Sequence, residues 1–213
     1  IYVNNGTYYG SVTASSLTLI GQNRVGTVID GNGTAGPVIS LSGSANVSGF
    51  TIRNGDYGIE ARTYAIVPAY TGHTIDGNTI IDNRYGGIRL QGVGGNAITN
   101  NLIMNNSLFG IHLYNAGNNT LSNNILVGNG YGIDFYANSN DNILRNNNMT
   151  DNKYNFGLVL RGETRNWIIG QKPGIVNDVD TSNTVNGKPI YYLVNQNDTL
   201  VPSDAGYVWL NNC

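Results

Sequence analysis

The sequence predicts an all-β chain wound as a single-stranded right-handed parallel β-helix, with coils of 22–25 residues and asparagine-rich turns. Three observations carry that prediction. Between residues 72 and 162 the chain repeats in four units, with an anchor asparagine at Asn78, Asn101, Asn124 and Asn147, 23 residues apart each time. Inside each unit apolar and polar residues alternate, as in Gly110, Ile111, His112, Leu113 and Tyr114, which is the period of half-buried strands. In composition, 35 Asn and 29 Gly make up 30% of the 213 residues, and both types tolerate the left-handed backbone of sharp turns. A unit of ~23 residues with short strands cannot bury its own apolar side, whereas units stacked at ~4.8 Å per coil bury a continuous column.

In chain order, residues 1–3 open as a strand, and residues 17–21, 28–31, 38–41 and 50–52 read as strands of two early coils, with Gly58 and Ile59 matching the later Gly-Ile pairs. Residues 62–71, with Tyr64, Pro68 and Tyr70, interrupt the period and read as an inserted loop. The four units then align their apolar residues in columns: Ile75, Ile98, Leu121 and Leu144; Ile80, Ile103, Leu126 and Met149; Ile88, Ile111, Ile133 and Leu158; Leu90, Leu113, Phe135 and Leu160. The anchor asparagines stack in one turn, each bonding its neighbours in an internal ladder. Residues 163–204, through Pro173 and Pro189, are aperiodic, and coil geometry returns at residues 205–210. All of 1–213 reads as one β-helix domain, a fragment of a longer chain.

Charge narrows the partners. Only 11% of residues are charged, and the 11 Lys and Arg are scattered through a chain of net charge −2. That pattern lacks the footprint of a nucleic-acid binder, and no apolar run approaches the ~20 residues of a membrane span. The single cysteine, Cys213, excludes an internal disulfide.

The opening residues Ile1, Tyr2, Val3, Gly6, Thr7 and Tyr8, the run Ile29, Asp30, Gly31, Asn32 and Gly33, and the Asn-rich repeats carry a resemblance. So do Asn186, Gly187, Lys188, Pro189, Ile190, Tyr191 and Tyr192, and Asp204, Ala205, Gly206, Tyr207 and Val208. Together they resemble the secreted parallel β-helix repeat proteins of the NosD-like, carbohydrate-binding and sugar-hydrolase (CASH) type found on archaeal, methanogen-like cell surfaces. The resemblance implies the fold and an extracellular or cell-surface setting. Its members include binding, structural and catalytic proteins.

Candidate chemistry gathers on one outward strand face. The position after each Gly-Ile pair reads Glu60, Arg89, His112, Asp134 and Val159, and two positions on it reads Arg62, Gln91, Tyr114, Tyr136 and Arg161. This face is the candidate carbohydrate-binding ladder, with aromatic faces for pyranose rings and Arg, Asp and Glu for hydroxyls. The bland reading is a solvated face whose opposite charges avoid like-charge contacts. Paired-carboxylate hydrolysis fails on distance, because Glu60 and Asp134 are three coils or ~14 Å apart against the ~5–9.5 Å that mechanism needs. A polysaccharide lyase using Arg89 as base is the alternative enzyme. Asn78, Thr79 and Ile80 lack the acid of the hydrolase triad, and the Asp-Pro-His signature of β-helical uronate epimerases is absent.

No cofactor or metal is expected. Asp178 and Asp180 offer too few oxygens for Ca²⁺, and His73, His112, Met104, Met149 and Cys213 do not cluster as a copper site. His73 is expected in a turn, and Met149 in the core. Asn5, Asn32, Asn46, Asn105, Asn118, Asn148 and Asn197 stand in Asn-x-Ser/Thr sequons as candidate glycosylation sites. Partners are then a polysaccharide or surface glycan, or copies of the chain itself: β-helix ends expose unpaired strand edges, so stacking into a filament, sheath or surface layer is a third possibility.

Overall fold

The computed structural model describes residues 1–64, 69–159 and 176–213. Its coil is built from one two-residue device. At each corner a first residue takes a left-handed backbone and the next buries its side chain. Gly77-Asn78, Asn100-Asn101, Asn123-Asn124 and Asn146-Asn147 make the first corner. Asp82-Asn83, Asn105-Asn106, Gly128-Asn129 and Asp151-Asn152 make the second, and Gly72-His73, Gly95-Asn96, Asn118-Asn119 and Asp141-Asn142 the third. The first residue of each of these pairs has φ between 55° and 73°, except Asn146 at 54°, a region that Gly, Asn and Asp enter at least cost. The repeated Asn-Asn pairs of the sequence therefore join two demands, a turn former and a buried hydrogen-bonder.

Between corners run three parallel strand faces. The first is an eight-stranded sheet that includes Thr74–Asp76, Ala97–Thr99, Thr120–Ser122 and Ile143–Arg145. The second includes Thr79–Ile81, Leu102–Met104, Ile125–Val127 and Asn148–Thr150. The third includes Gly86–Gln91, Phe109–Tyr114, Tyr131–Tyr136 and Tyr154–Val159. In the early coils Thr27–Ser42 and Thr51–Arg62 run unbroken round the second corner, which merges the second and third faces into one 15-stranded sheet. The expected aliphatic columns fill the interior; Ile75, Ile98, Leu121, Leu144, Ile80, Ile103, Leu126 and Met149 are all fully buried.

The expected asparagine ladder is present, and two more accompany it. In the first, Asn124 Oδ1 accepts both the backbone N–H and the side-chain amide of Asn101, each at 3.1 Å, while its own amide donates to Ile98 O at 2.8 Å and Asn147 Oδ1 at 2.9 Å. Asn83, Asn106, Asn129 and Asn152 form the second ladder, and Asn96, Asn119, Asn142 and Asn177 the third. Each ladder begins the same way: Asn78, Asn83 and His73 accept the backbone N–H of Phe50, Gly55 and Ala45. Along the ladders the buried amides are thus matched from coil to coil, as buried polar groups require; at the ends, Asn152 donates to Asn155 of its own coil, and Asn177 Nδ2 has no hydrogen-bond partner among the described residues.

Three expectations change. Coil geometry resumes well before residue 205. Asp178–Val179 extends the first face beside Ile143 and Leu144, Thr184–Val185 extends the second beside Asn148 and Met149, and Asn177 and Asn183 continue two ladders. The spacing there is 35 or 36 residues rather than 23, which hid the continuation from a periodicity search. The excursion at 62–71 is also shorter than expected, because Arg62 ends a strand and Ala69–Tyr70 pairs in parallel with Val93–Gly94. Finally, the last coil is shifted by two: Ile133 pairs with Phe156 and Phe135 with Leu158. A two-residue slip preserves which side chains point inward, so alternation alone could not detect it.

Candidate functional site

The third face presents its outward side chains in rows because each strand pairs in register with the one a coil away. Glu60 pairs with Arg89, Arg89 with His112, and His112 with Asp134, so these four form a row across four coils. Arg62, Gln91, Tyr114 and Tyr136 form the row beside it. The register shift corrects the end of both rows. Gly157, not Val159, follows Asp134, and Val159, not Arg161, follows Tyr136. Arg161 itself lies outside the described residues.

The row resolves into two acid–base pairs. Glu60, 5% exposed, lies 3.1 Å from Arg89 Nη1 and 3.6 Å from Arg62 Nε. Arg89 also donates to Gln91 Oε1 and sets its guanidinium 5.1 Å over the Tyr57 ring. Asp134, 1% exposed, takes His112 Nδ1 at 2.7 Å through Oδ2. Gly157 makes room for this carboxylate, since a Cβ there would stand 2.7 Å from Asp134 Oδ1. Two buried polar atoms of the row have no hydrogen-bond partner, Arg89 Nε and Asp134 Oδ1. One is a donor and the other an acceptor.

Aromatic rings flank the row on both sides. Tyr114 and Tyr136 stack at 5.0 Å with their planes 17° apart. The two rings stack as expected of in-register neighbours, and the pair's outer faces, its edges and its hydroxyls are what a ligand can meet. On the other side Phe109, Tyr131 and Tyr154 stack in a column, at 5.6 and 4.8 Å, and His112 packs on Phe109 at 4.3 Å. The sequence reading passed over this column, although its signal was available: Tyr57, Phe109, Tyr131 and Tyr154 each stand two residues before the inward residue of the strand.

The remaining candidates fall elsewhere. His73 is in a turn, as expected, but serves as the first rung of the third ladder; it is 1% exposed, and burial holds its pKa below the ordinary imidazole value. All seven sequon asparagines, Asn5, Asn32, Asn46, Asn105, Asn118, Asn148 and Asn197, are exposed, and none of them is a ladder rung. None lies on the third-face strands from Tyr57 to Val159. Among the described residues no group of three or more His, Cys, Asp and Glu could hold a metal ion, and no helix is long and apolar enough to cross a membrane.

Residues 1–190 match the family model described as a right handed beta helix region. Two solved structures are similar in fold. A double mutant of the periplasmic alginate epimerase AlgG superimposes with a TM-score of 0.62 at 18% identity, covering 98% of this chain and 49% of that one. A second structure of that epimerase gives 0.51 at 19% identity, over 99% of this chain and 49% of that one. The chain thus spans about half the length of the solved structures it matches. No curated protein matches it in sequence.

Proposed function

The chain belongs to the right-handed beta helix family, and we propose that within this fold it is a carbohydrate-binding protein of the cell surface or extracellular space, of the NosD-like or CASH type, with a structural or adhesive role. Its recognition face is the row from Glu60 to Asp134 with the neighbouring Arg62, Gln91, Tyr114 and Tyr136. The observation that carries this reading is the row itself, in which Glu60, Arg89, His112 and Asp134 stand in register on one face beside the stacked rings of Tyr114 and Tyr136. The accessible groups of this face, the Tyr114 hydroxyl and the half-exposed Arg62 guanidinium, place donors and an acceptor side by side. A phosphate only accepts and an ammonium only donates, whereas a sugar hydroxyl does both. The polysaccharide named for the similar epimerase is compatible with such a partner, although the likeness to it is one of fold.

Binding of a glycan array, followed by calorimetry on the best ligand, tests the reading. Tyr136→Ala and Tyr114→Ala are expected to weaken binding by about tenfold or more, ~1.4 kcal/mol, with melting temperatures close to the parent; His112→Ala is expected to weaken it as well and to lower the melting temperature, because it leaves the buried Asp134 carboxylate unpaired. Unchanged affinity in all three would remove the row from consideration.

A second reading, a polysaccharide-processing enzyme on the same face, is favoured by the His112–Asp134 contact at 2.7 Å. A carboxylate on one ring nitrogen fixes the tautomer that leaves the other free to take a proton. Arg89 is poorly placed as a base, since its guanidinium is engaged by Glu60 at 3.1 Å and by Gln91. Turnover of a polysaccharide that His112→Ala abolishes and Arg89→Lys retains would establish the enzyme; no turnover across acidic and neutral polysaccharides would leave the binding protein.

A further inference from the structure

The second corner, where the chain passes from the second face to the third, carries a notch one coil wide. On either side of its ladder asparagine this corner has two outward positions per coil. Successive coils fill them with Asp82 and Arg84, Asn105 and Ser107, Gly128 and Gly130, and Asp151 and Lys153. The third of these coils therefore has no side chain at either position, and a shallow, open depression of about 720 Å³ lies there, bordered by Asn105 and Ser107 above and by Asp151, Lys153 and Asn186 below. Gly130 is fixed by the backbone, because a Cβ would come within 2.4 Å of Leu108 O. Gly128 is not required by its φ of 67°, since Asp82, Asn105 and Asp151 hold the same corner at 55°; a Cβ there would meet only the mobile end of Asn105, at 2.9 Å from Oδ1. What glycine adds at 128 is open space.

We infer that this notch is a saccharide subsite that extends the recognition face round the corner; the inference rests on the carbohydrate reading of that face. The chemistry of the walls selects the ligand. Two amides, a hydroxyl, a carboxylate and an ammonium offer donors and acceptors together, no apolar side chain lines the depression, and Asp151 and Lys153 cancel in charge. A neutral, hydroxyl-rich ring fits that set better than an apolar ligand or a polyanion. The notch is also continuous with the row. The Lys153 ammonium lies 5.4 Å over the Tyr154 ring, Tyr154 stacks on Tyr131, Tyr131 on Phe109, and Phe109 on His112. One glycan chain can follow this aromatic strip from Asp134 into the notch.

Asn105 is a sequon residue on the wall, so a glycan attached there would occupy the notch itself. The test therefore uses the full chain from a host that does not glycosylate. Affinities for neutral β-1,4-linked hexose oligosaccharides of increasing length are measured by calorimetry for the parent, for Ser107→Trp, which fills the notch from an exposed wall, and for Tyr136→Ala. The parent is expected to bind longer oligosaccharides more tightly. Ser107→Trp should remove about tenfold of that gain while leaving the shortest binding ligand unaffected, and Tyr136→Ala should weaken every length. The same length dependence in Ser107→Trp and parent, with Tyr136→Ala still weak, would overturn the notch and leave the face. Absence of saccharide binding in the parent would overturn both. A shared melting temperature for parent and Ser107→Trp confirms that the notch alone was changed.

Discussion

The side-chain amide and the backbone N–H of Asn101 both donate to one atom, Asn124 Oδ1, at 3.1 Å each. A single oxygen thus satisfies two fully enclosed donors of the coil before it. Replacing Asn124 with Leu fills the volume, unpairs those two donors and takes from Ile98 O the amide it accepts, while Asn147 Oδ1 keeps the backbone N–H of residue 124. At ~1–3 kcal/mol for each buried group left unpaired, Asn124→Leu is expected to lower unfolding free energy by roughly 3 kcal/mol or more. A loss under ~1 kcal/mol in urea unfolding would show that water enters and replaces the ladder.

Its neighbour Asn123 plays the other part of the corner, with φ at 56° and an exposed side chain. Here only the backbone matters. Asn123→Gly is expected to stay within a few tenths of a kcal/mol of the parent, while Asn123→Ala costs ~1–2 kcal/mol because a plain Cβ is strained in the left-handed region. Equal melting of the two variants would mean that the exposed amide, rather than the dihedral angle, had been holding the corner.

Those two roles explain what the sequence could and could not disclose. The columns headed by Ile75 and Ile80 were legible because every inward residue recurs at 23, and the first ladder was legible for the same reason. The second and third ladders recur equally, at Asn83, Asn106, Asn129 and Asn152 and at Asn96, Asn119 and Asn142, but the left-handed residues before them vary among Asp, Asn and Gly, so no repeated Asn-Asn pair marks those corners as it marks the first. Residue identity cannot separate an asparagine that turns the chain from one that is buried by it. The row from Glu60 to Asp134 was legible because register fixes neighbours. Its last members were not, since Phe156 and Leu158 are both apolar and two residues apart. The stacking of Tyr114 on Tyr136 was legible for the same reason as the row, since the two stand in register one coil apart.

His73 heads the third ladder where later coils use asparagine, and its Nδ1 accepts the Ala45 N–H at 3.2 Å. Burial lowers its pKa below the ordinary 6.5, so the sign of the effect is fixed. Above pH 6.5 the imidazole is neutral in both folded and unfolded chains and contributes no pH dependence. As the pH falls below 6.5, the unfolded chain gains a proton that the folded one refuses, and stability declines by up to about 1.4 kcal/mol per pH unit until the lowered folded pKa is reached. His73→Asn keeps a rung and removes the titration. Its urea midpoint is expected to fall less than the parent's between pH 7.5 and pH 5; parallel declines would assign the acid sensitivity to other groups.

Glu60 touches two arginines, and their geometry predicts which contact matters. Arg89 approaches to 3.1 Å with its side chain 23% exposed, while Arg62 stands at 3.6 Å and is 50% exposed. The exposed contact is screened and is worth ~0–0.5 kcal/mol, whereas removing one partner of the more buried pair leaves a desolvated charge behind, at ~1–3 kcal/mol. Arg62→Ala is therefore expected to leave the stability nearly unchanged and Arg89→Met to lower it clearly. Glu60→Gln combined with Arg89→Met should recover part of that loss, because no buried charge then lacks its partner. A double variant that is the simple sum of its parts would show that the two side chains are not coupled, and that the row is a solvated surface rather than a prearranged recognition face.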